Sequence, residues 1–476
     1  MRSKPLDIAI IGAGVSGLSL AFYLEQFSKK NGLKLPKSAI FEAAESVGGK
    51  LQTAIEESFI LDLGPDSIAT RKAEVYDLIC DLGLQSEMIA PREKKFSILK
   101  SGRLREIELG LLSTFPRNIK AVLSTEIISI FGKLRAGLGL IASYLTADKF
   151  FYRADNQSLA QFFKLKWGLE MYNNLLAPLF TGLYGSDLEN ISYKVFKQDQ
   201  ASKSGRQLPP YISLRGGIRS LISALEAKLD ATQIHCNSPV TSISRTEDYW
   251  QISIADSVIK AKVLVLAVPP NKASKLLQTV DPKLSQILGD FQSSDAAILS
   301  LGYKNVDLSQ TLLEKAGSGV IVPECESESI RGITLSSKKW TNRAEEKDLL
   351  VRVFGRTGVF EKLGLEHSCA LAAKELERIL NLKATPVLSK LQLWPQGSVQ
   401  CGLDHFNRLD QLQQFSNRLG SIYFHGSGFG GIGIADCIQS SKVLAEKLPD
   451  LYIAEESHEN SDSRLETFPK NELAFS

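Results

Sequence analysis

A chain of 476 residues, 43% of them hydrophobic, has room for two or three domains with large cores. Its formal net charge of +3, with 23% charged residues, gives no global case for nucleic acid as a partner. Six scattered cysteines (80, 236, 325, 369, 401, 437) without a C-x-x-C pair, and five histidines without H-x-x-x-H spacing, argue against a disulfide framework and a metal site and suit a reducing, cytoplasmic compartment. The first strand begins by about residue 6, which leaves no room for a signal or transit peptide, and no charge-free stretch of about 20 residues predicts a spanning helix.

In chain order, the apolar run Ile8 to Ile11 reads as a buried parallel strand. Gly12, Ala13, Gly14, Val15, Ser16 and Gly17 then open a helix in the pattern G-x-G-x-x-G. The first glycine permits the tight turn, the second lets a pyrophosphate approach the backbone, and the third lets helix and strand pack closely. The helix N-terminus offers unpaired N–H groups to phosphate. A second strand, Ala39 to Phe41, ends at Glu42, 25 residues beyond Gly17, where a ribose-binding carboxylate belongs. Ala43 follows, and six residues after the acid comes Gly48-Gly49-Lys50. Nicotinamide enzymes need only the first loop and the acid, whereas the added Gly-Gly pair is a flavoprotein feature, so the predicted cofactor is FAD.

Further along, Phe59 to Leu63 leads into Gly64-Pro65-Asp66-Ser67, and a helix over Ala73 to Leu82 is stopped by Gly83. Residues 91–213 carry long amphipathic segments such as 118–131 and 133–144. After Leu214-Arg215-Gly216-Gly217 come a helix (218–229), a strand pair (234–245 and 249–254) and a buried strand (261–268) stopped by Pro269-Pro270. Finally Ser421 to Gly433 form a glycine-rich turn ahead of a helix to Leu448. Glycine-rich turns at both ends of the chain predict an α/β fold with a discontinuous Rossmann-like FAD-binding domain built from 1–90, 214–270 and 415–452. A mixed α+β substrate domain is expected over 271–414, and an inserted helical, membrane-associating subdomain over 91–213. The polar residues 453–476, with six acids against Arg464 and Lys470, are expected to be disordered.

Together these motifs resemble the protoporphyrinogen/coproporphyrinogen oxidase family of the FAD-dependent, amine-oxidase-like superfamily, over about residues 5 to 448. The first glycine motif and Glu42 mark only the superfamily. Gly64-Pro65-Asp66-Ser67 with Thr70-Arg71-Lys72, Ala177 to Asp187, and Gly431-Ile432-Gly433-Ile434-Ala435-Asp436-Cys437 are closer to the porphyrinogen oxidases. A family segment running from Trp to Pro-Gln-Tyr-x-x-Gly-His is altered: Trp394, Gln400 and His405 keep their spacing, while Val399, Cys401 and Asp404 replace Pro, Tyr and Gly.

The resemblance implies an enzyme of haem biosynthesis that takes six electrons from protoporphyrinogen IX, passing hydride from the methylene bridges to flavin N5 with dioxygen as acceptor and hydrogen peroxide as product. Coproporphyrinogen III as substrate and a quinone as acceptor stay open. By this analogy the pyrophosphate lies on Gly12 to Gly17, the ribose on Glu42, the adenine against Val240, and the flavin ring beside Gly64 to Ser67 and Gly431 to Ile434, with Ala43, Gly49, Lys50 and Trp394 as further cofactor-binding residues. The Gly182 carbonyl would face the macrocycle, with Lys95 and Arg71 as propionate partners. A homodimer and hand-off of product to a ferrochelatase are compatible with the same resemblance.

Between Arg92 and Arg153 twelve cations face five acids, interleaved with 127–131 and 138–144, a composition suited to a helix lying on the inner face of the cell membrane. The opposing reading is a helical subdomain with those apolar residues packed inside. Two other functions remain in view. One is an amine oxidase or polyprenoid desaturase, with Cys401 a conceivable covalent flavin link; the other is a non-catalytic flavin- or tetrapyrrole-binding relative.

Overall fold

The computed structural model describes residues 4–108, 127–146, 150–152, 156–201, 205–255, 257–307, 311–356 and 358–449. The expected polar tail, Arg117, Lys120 and most of the segment 118–131 lie outside them.

Leu6–Ile11 is buried along almost its whole length, so it must sit inside a sheet covered on both faces. That sheet runs Gln233–His235, Ser38–Phe41, Leu6–Ile11, Ser257–Leu266, Trp250–Ile254, Val240–Arg245. Ile422–Phe424 adds in parallel to the end of Ser257–Leu266. Ile10 lies opposite Ile40 on one side and Val265 on the other. Ile8, Ile10, Val263 and Val265 face one core with the helices Val15–Lys30 and Ile434–Lys447; Ala9, Ile11, Leu264 and Leu266 face another. Strands from the beginning, middle and end of the chain thus make one sheet, as the glycine-rich turns predict. The run expected as one strand over 234–245 is broken: Asn237 has φ +50° and Pro239 follows. Gln233–His235 therefore pairs with Ser38–Phe41, and only Val240–Arg245 joins Trp250–Ile254.

The second sheet runs Leu388–Val399, Ser293–Tyr303, Leu349–Gly355, Ile330–Leu335, Gly319–Ile321, Lys95–Lys100, Arg103–Glu108. Its last two strands form a hairpin inside the segment expected to be helical from residue 91. Phe96, Ser97, Ile98 and Leu99 are all buried, so this strand is covered on both faces, and Val320 pairs with Ser97 in parallel. Among the described residues the helical layer comprises Ile130–Thr146, Leu159–Trp167, Ala177–Tyr184 and Tyr193–Ala201. Its core is aromatic, and Phe162 stacks on Tyr193 with centroids 4.1 Å apart. Among the described residues no helix is long and apolar enough to cross a membrane.

Two histidines are buried and neutral. His425 hydrogen-bonds Ser441 through Nε2 at 2.8 Å, and His405 lies edge-on to Phe291. Burial pushes each ring down to about 4, with Arg408 adding to the effect on His405. The unfolded chain takes up these protons near pH 6.5 and the native state resists them. Stability is therefore complete above about 6.5 and is lost as pH falls toward 4. At pH 5 each ring costs about 2 kcal/mol. The urea midpoint is expected to drop between pH 7 and 5, and His405→Phe should remove about half of that drop; an unchanged pH dependence in the variant contradicts this account.

Candidate active site

The parallel strands all point their carboxyl ends the same way, and the loops that leave them share one edge of the sheet. Gly12 N–H donates to the Phe41 carbonyl at 2.8 Å, Glu42 N–H to His235 at 2.9 Å, Ala267 N–H to Ile11 at 2.9 Å and His425 N–H to Leu266 at 3.0 Å. The opening and closing glycine-rich turns are therefore neighbours. A Cβ on Gly426 would lie 2.9 Å from Ser16 Oγ, and Ser441 Oγ is 2.7 Å from Ser19 Oγ.

The cradle has the shape a pyrophosphate needs. Gly12 has φ +106°, and a Cβ on Gly17 would lie 2.0 Å from the Gly12 carbonyl, so both positions are closed to side chains. Gly14, the helix N-cap, has nothing within 4 Å of where its Cβ would point. Ala13 and Val15 are buried beneath it. Gly48 N–H donates to the Ala13 carbonyl at 2.8 Å, and Gly49 lies against Gly14. Glu42 accepts Ala13 N–H at 2.8 Å on Oε2 and Ala44 N–H at 2.9 Å on Oε1, past the exposed Ala43. A carboxylate oxygen has two lone pairs, so Glu42 keeps capacity for a ribose hydroxyl. Ser238 N–H donates to the Glu42 carbonyl at 2.8 Å, which brings half-buried Val240 to the same end of the sheet. These residues fit FAD.

The Gly64-Pro65-Asp66-Ser67 loop is fixed from both sides. A Cβ on Gly64 would lie 2.1 Å from the Lys50 carbonyl, and the Gly64 carbonyl accepts from Arg352 Nη2. Asp66 is buried, which by itself would raise its carboxyl. Lys339 at 3.0 Å, Arg352 at 3.4 Å and the Trp340 N–H at 3.1 Å outweigh that and hold it well below the usual carboxylate range. Pro65 is exposed between them, and Ser67 donates to Asp66 at 3.0 Å. On the other strand, Trp394 Nε1 donates to the Leu63 carbonyl at 2.8 Å and Lys50 Nζ to the Gly397 carbonyl at 2.6 Å. The altered Trp394–His405 segment thus docks on both loops. Burial pulls the Lys50 ammonium down. The Cys401 thiol is driven up to about 12 by burial, with Asp436 adding to it, so it stays protonated and is a poor nucleophile for a flavin link.

At the closing turn Gly431 has φ +117°, and half-buried Ile432 packs against the aromatic helical core. Asp436 accepts the N–H groups of Ile432 (3.2 Å) and Gly433 (2.9 Å), leaving the N–H groups of Ile434 and Ala435 as first-turn donors with no intrahelical partner. Gly182 is exposed, with open space on its Cβ side, and its helix ends at Tyr184, so its carbonyl is among the terminal ones. The Gly185 carbonyl is tied in: it accepts from Ser294 Oγ at 3.1 Å, and Ser294 accepts from Gln400 at 2.9 Å. Arg71 is half-buried beyond the Gly-Pro loop. Lys95, exposed at the start of the hairpin, is paired with Glu106 at 2.7 Å, so its charge already faces a carboxylate.

Sequence reasoning missed Arg352 and Lys339. The one available signal was a lone arginine in Leu349-Leu350-Val351-Arg352-Val353-Phe354, a charge that a doubly covered strand must pair. It also missed the π-helical turn Tyr172–Leu176 ahead of Gly182, a distortion that recurs at functional sites.

A family model described as flavin containing amine oxidoreductase matches residues 15–448. The chain is 27% identical to the coproporphyrinogen III oxidase of Bacillus subtilis over 93% of this chain and 98% of that one. It is 25% identical to the chloroplastic protoporphyrinogen oxidase 1 of Spinacia oleracea over 94% and 84%. A crystal structure from Exiguobacterium sp. 255-15 superposes with TM-score 0.78 at 23% identity, covering 95% and 100%, a likeness of fold. We expect Gly14→Ala to fold and melt like the parent as apoprotein but to lose FAD affinity at least tenfold, because its methyl occupies the open side of the cradle. Gly17→Ala should destabilise the apoprotein itself. Flavin titration and thermal melting check both, and an unweakened Gly14→Ala contradicts the placement.

Proposed function

We propose, from the premise that the chain belongs to the flavin-containing amine oxidoreductase family, that it is a porphyrinogen oxidase of haem biosynthesis. Coproporphyrinogen III is the first substrate and protoporphyrinogen IX the second. The observation that carries this is similarity over nearly the full length of both chains to bacterial coproporphyrinogen III oxidases. The spinach relative supports the second reading. FAD is the cofactor. When bound it supplies a two-electron acceptor, and three rounds, with dioxygen consumed and hydrogen peroxide formed each time, convert porphyrinogen to porphyrin.

The chain's own residues bind and orient. The opening helix and Glu42 hold the dinucleotide. The loop anchored by Asp66 and the turn capped by Asp436 supply two walls of main chain around a planar ring. By the family resemblance the exposed Gly182 carbonyl is the candidate proton acceptor facing the macrocycle, and Arg71 and Lys95 are the candidate propionate partners, Lys95 by exchanging Glu106 for substrate. Aerobic assay of the holoprotein on both porphyrinogens, read by porphyrin fluorescence, should give turnover, faster with coproporphyrinogen III. Silence on both, with no anaerobic bleaching of the flavin, selects a non-catalytic relative.

Peripheral membrane attachment is the second part of the proposal. Ile130–Thr146 buries Gly132, Ala136 and Gly139 and turns Ile130, Phe131, Leu134, Leu138 and Ile141 outward, at 60–82% exposure. The apolar row faces away from the core, as an interfacial helix requires. Vesicles with anionic lipid should co-sediment the protein, and Leu134→Asp with Leu138→Asp should abolish this. Absence of binding together with a dimer in sedimentation equilibrium assigns the face to a second copy instead.

A further inference from the structure

Beside the two loops assigned to the flavin ring stands an ion pair whose charge has had no part in the reading so far. Lys72 follows the Gly64–Ser67 loop and precedes the helix Ala73–Asp81; Asp436 lies in the first turn of the closing helix Ile434–Lys447. Their charges meet at 3.2 Å, Lys72 Nζ to Asp436 Oδ1, with the side chains only 12% and 11% exposed. Asp436 Oδ2 holds the Ile432 and Gly433 N–H groups, and Lys72 also donates to Gln439, which reaches Glu74 at 3.4 Å.

A helix N-terminus presents roughly half a positive charge, the sign that favours a reduced, anionic ligand beside it. Asp436 puts a full negative charge into that place, and Lys72 cancels it. Neither charge is needed merely to cap the helix, since a neutral Asn would accept the Gly433 N–H equally well. The pair ties the start of the helix Ala73–Asp81, which follows the Gly64–Ser67 loop, to the closing turn, so its charge acts on a ring held beside both.

We propose that Lys72 and Asp436 are positioning residues that set the reduction potential of the bound flavin, Asp436 lowering it and Lys72 raising it. The inference rests on the placement of FAD argued above. Four holoprotein variants test it by anaerobic, dye-equilibrated reductive titration: Lys72→Met, Lys72→Arg, Asp436→Asn and the Lys72→Met/Asp436→Asn double. Lys72→Met should make reduction harder and Asp436→Asn easier. Each should change the ratio of reduced to oxidised flavin at fixed potential by about tenfold, the size expected for a unit charge in a partly buried site. The double variant and Lys72→Arg should titrate like the parent. A purely mechanical link between the loops would alter melting or FAD retention without opposite shifts in potential. The proposal is overturned if Lys72→Met and Asp436→Asn hold FAD and titrate with the parent, or shift in the same direction. If Asp436→Asn does not fold, the comparison of Lys72→Met with Lys72→Arg carries the same decision. A parent preparation that takes up no FAD defeats the cofactor placement instead, and this is visible in the absorbance before any titration.

Discussion

Two buried carboxylates four residues apart, Asp62 and Asp66, pin the turn between them, and the relation of the two sheets depends on that. Asp62 accepts Thr53 Oγ1 at 2.7 Å and Ile218 N–H at 2.9 Å, and it lies 3.1 Å from Arg343. Arg343, itself 1% exposed, reaches on to Ser213 and to the carbonyls of Leu214 and Arg215. Asp66 meets Arg352 from the second sheet and Lys339 from the short helix Ser336–Lys339 beside it. Such pairs recover their desolvation cost only when the remaining hydrogen bonds are made, and removing one partner typically costs about 3–5 kcal/mol. Gly64-Pro65 therefore cannot move without unpairing a buried ion, and a loop made of a flexible glycine and a bare proline becomes a rigid wall.

The first sheet fixes a second set of positions by register alone. Because Leu6–Ile11, Ser38–Phe41, Ser257–Leu266 and Ile422–Phe424 run parallel, each ends at the same level and releases its loop on the same side. Gly12, Glu42 and Gly426 meet there although more than four hundred positions separate the first and last of them. The site is a property of the sheet edge; no single motif contains it.

What could be read from the sequence divides along the same line. The fold of the cofactor region was legible because parallel buried strands leave continuous apolar runs, and glycines forced by close contact stand at fixed offsets, as Gly12 and Gly17 do. The hairpin 95–108 was not: its strands are short, rich in lysine and arginine, and paired at one edge with the distant Gly319–Ile321. The outward apolar face of Ile130–Thr146 was legible as composition but not as orientation, since an amphipathic pattern names two faces without saying which is inside. The ion pairs of Asp62, Asp66 and Asp436 depend on contacts across hundreds of residues, which spacing does not encode.

The interleaving of the first sheet carries a consequence for synthesis. Ile422–Phe424 leaves the ribosome long after Leu6–Ile11, a delay of roughly 20–80 s at ordinary elongation rates. Throughout that interval the nascent chain displays a nucleotide cradle lacking its final wall, with the flank of Leu264–Leu266 bare. Prosthetic-group capture is thereby deferred until translation is nearly finished, and a ribosome stalled before codon 420 yields a polypeptide bound for chaperones and proteases.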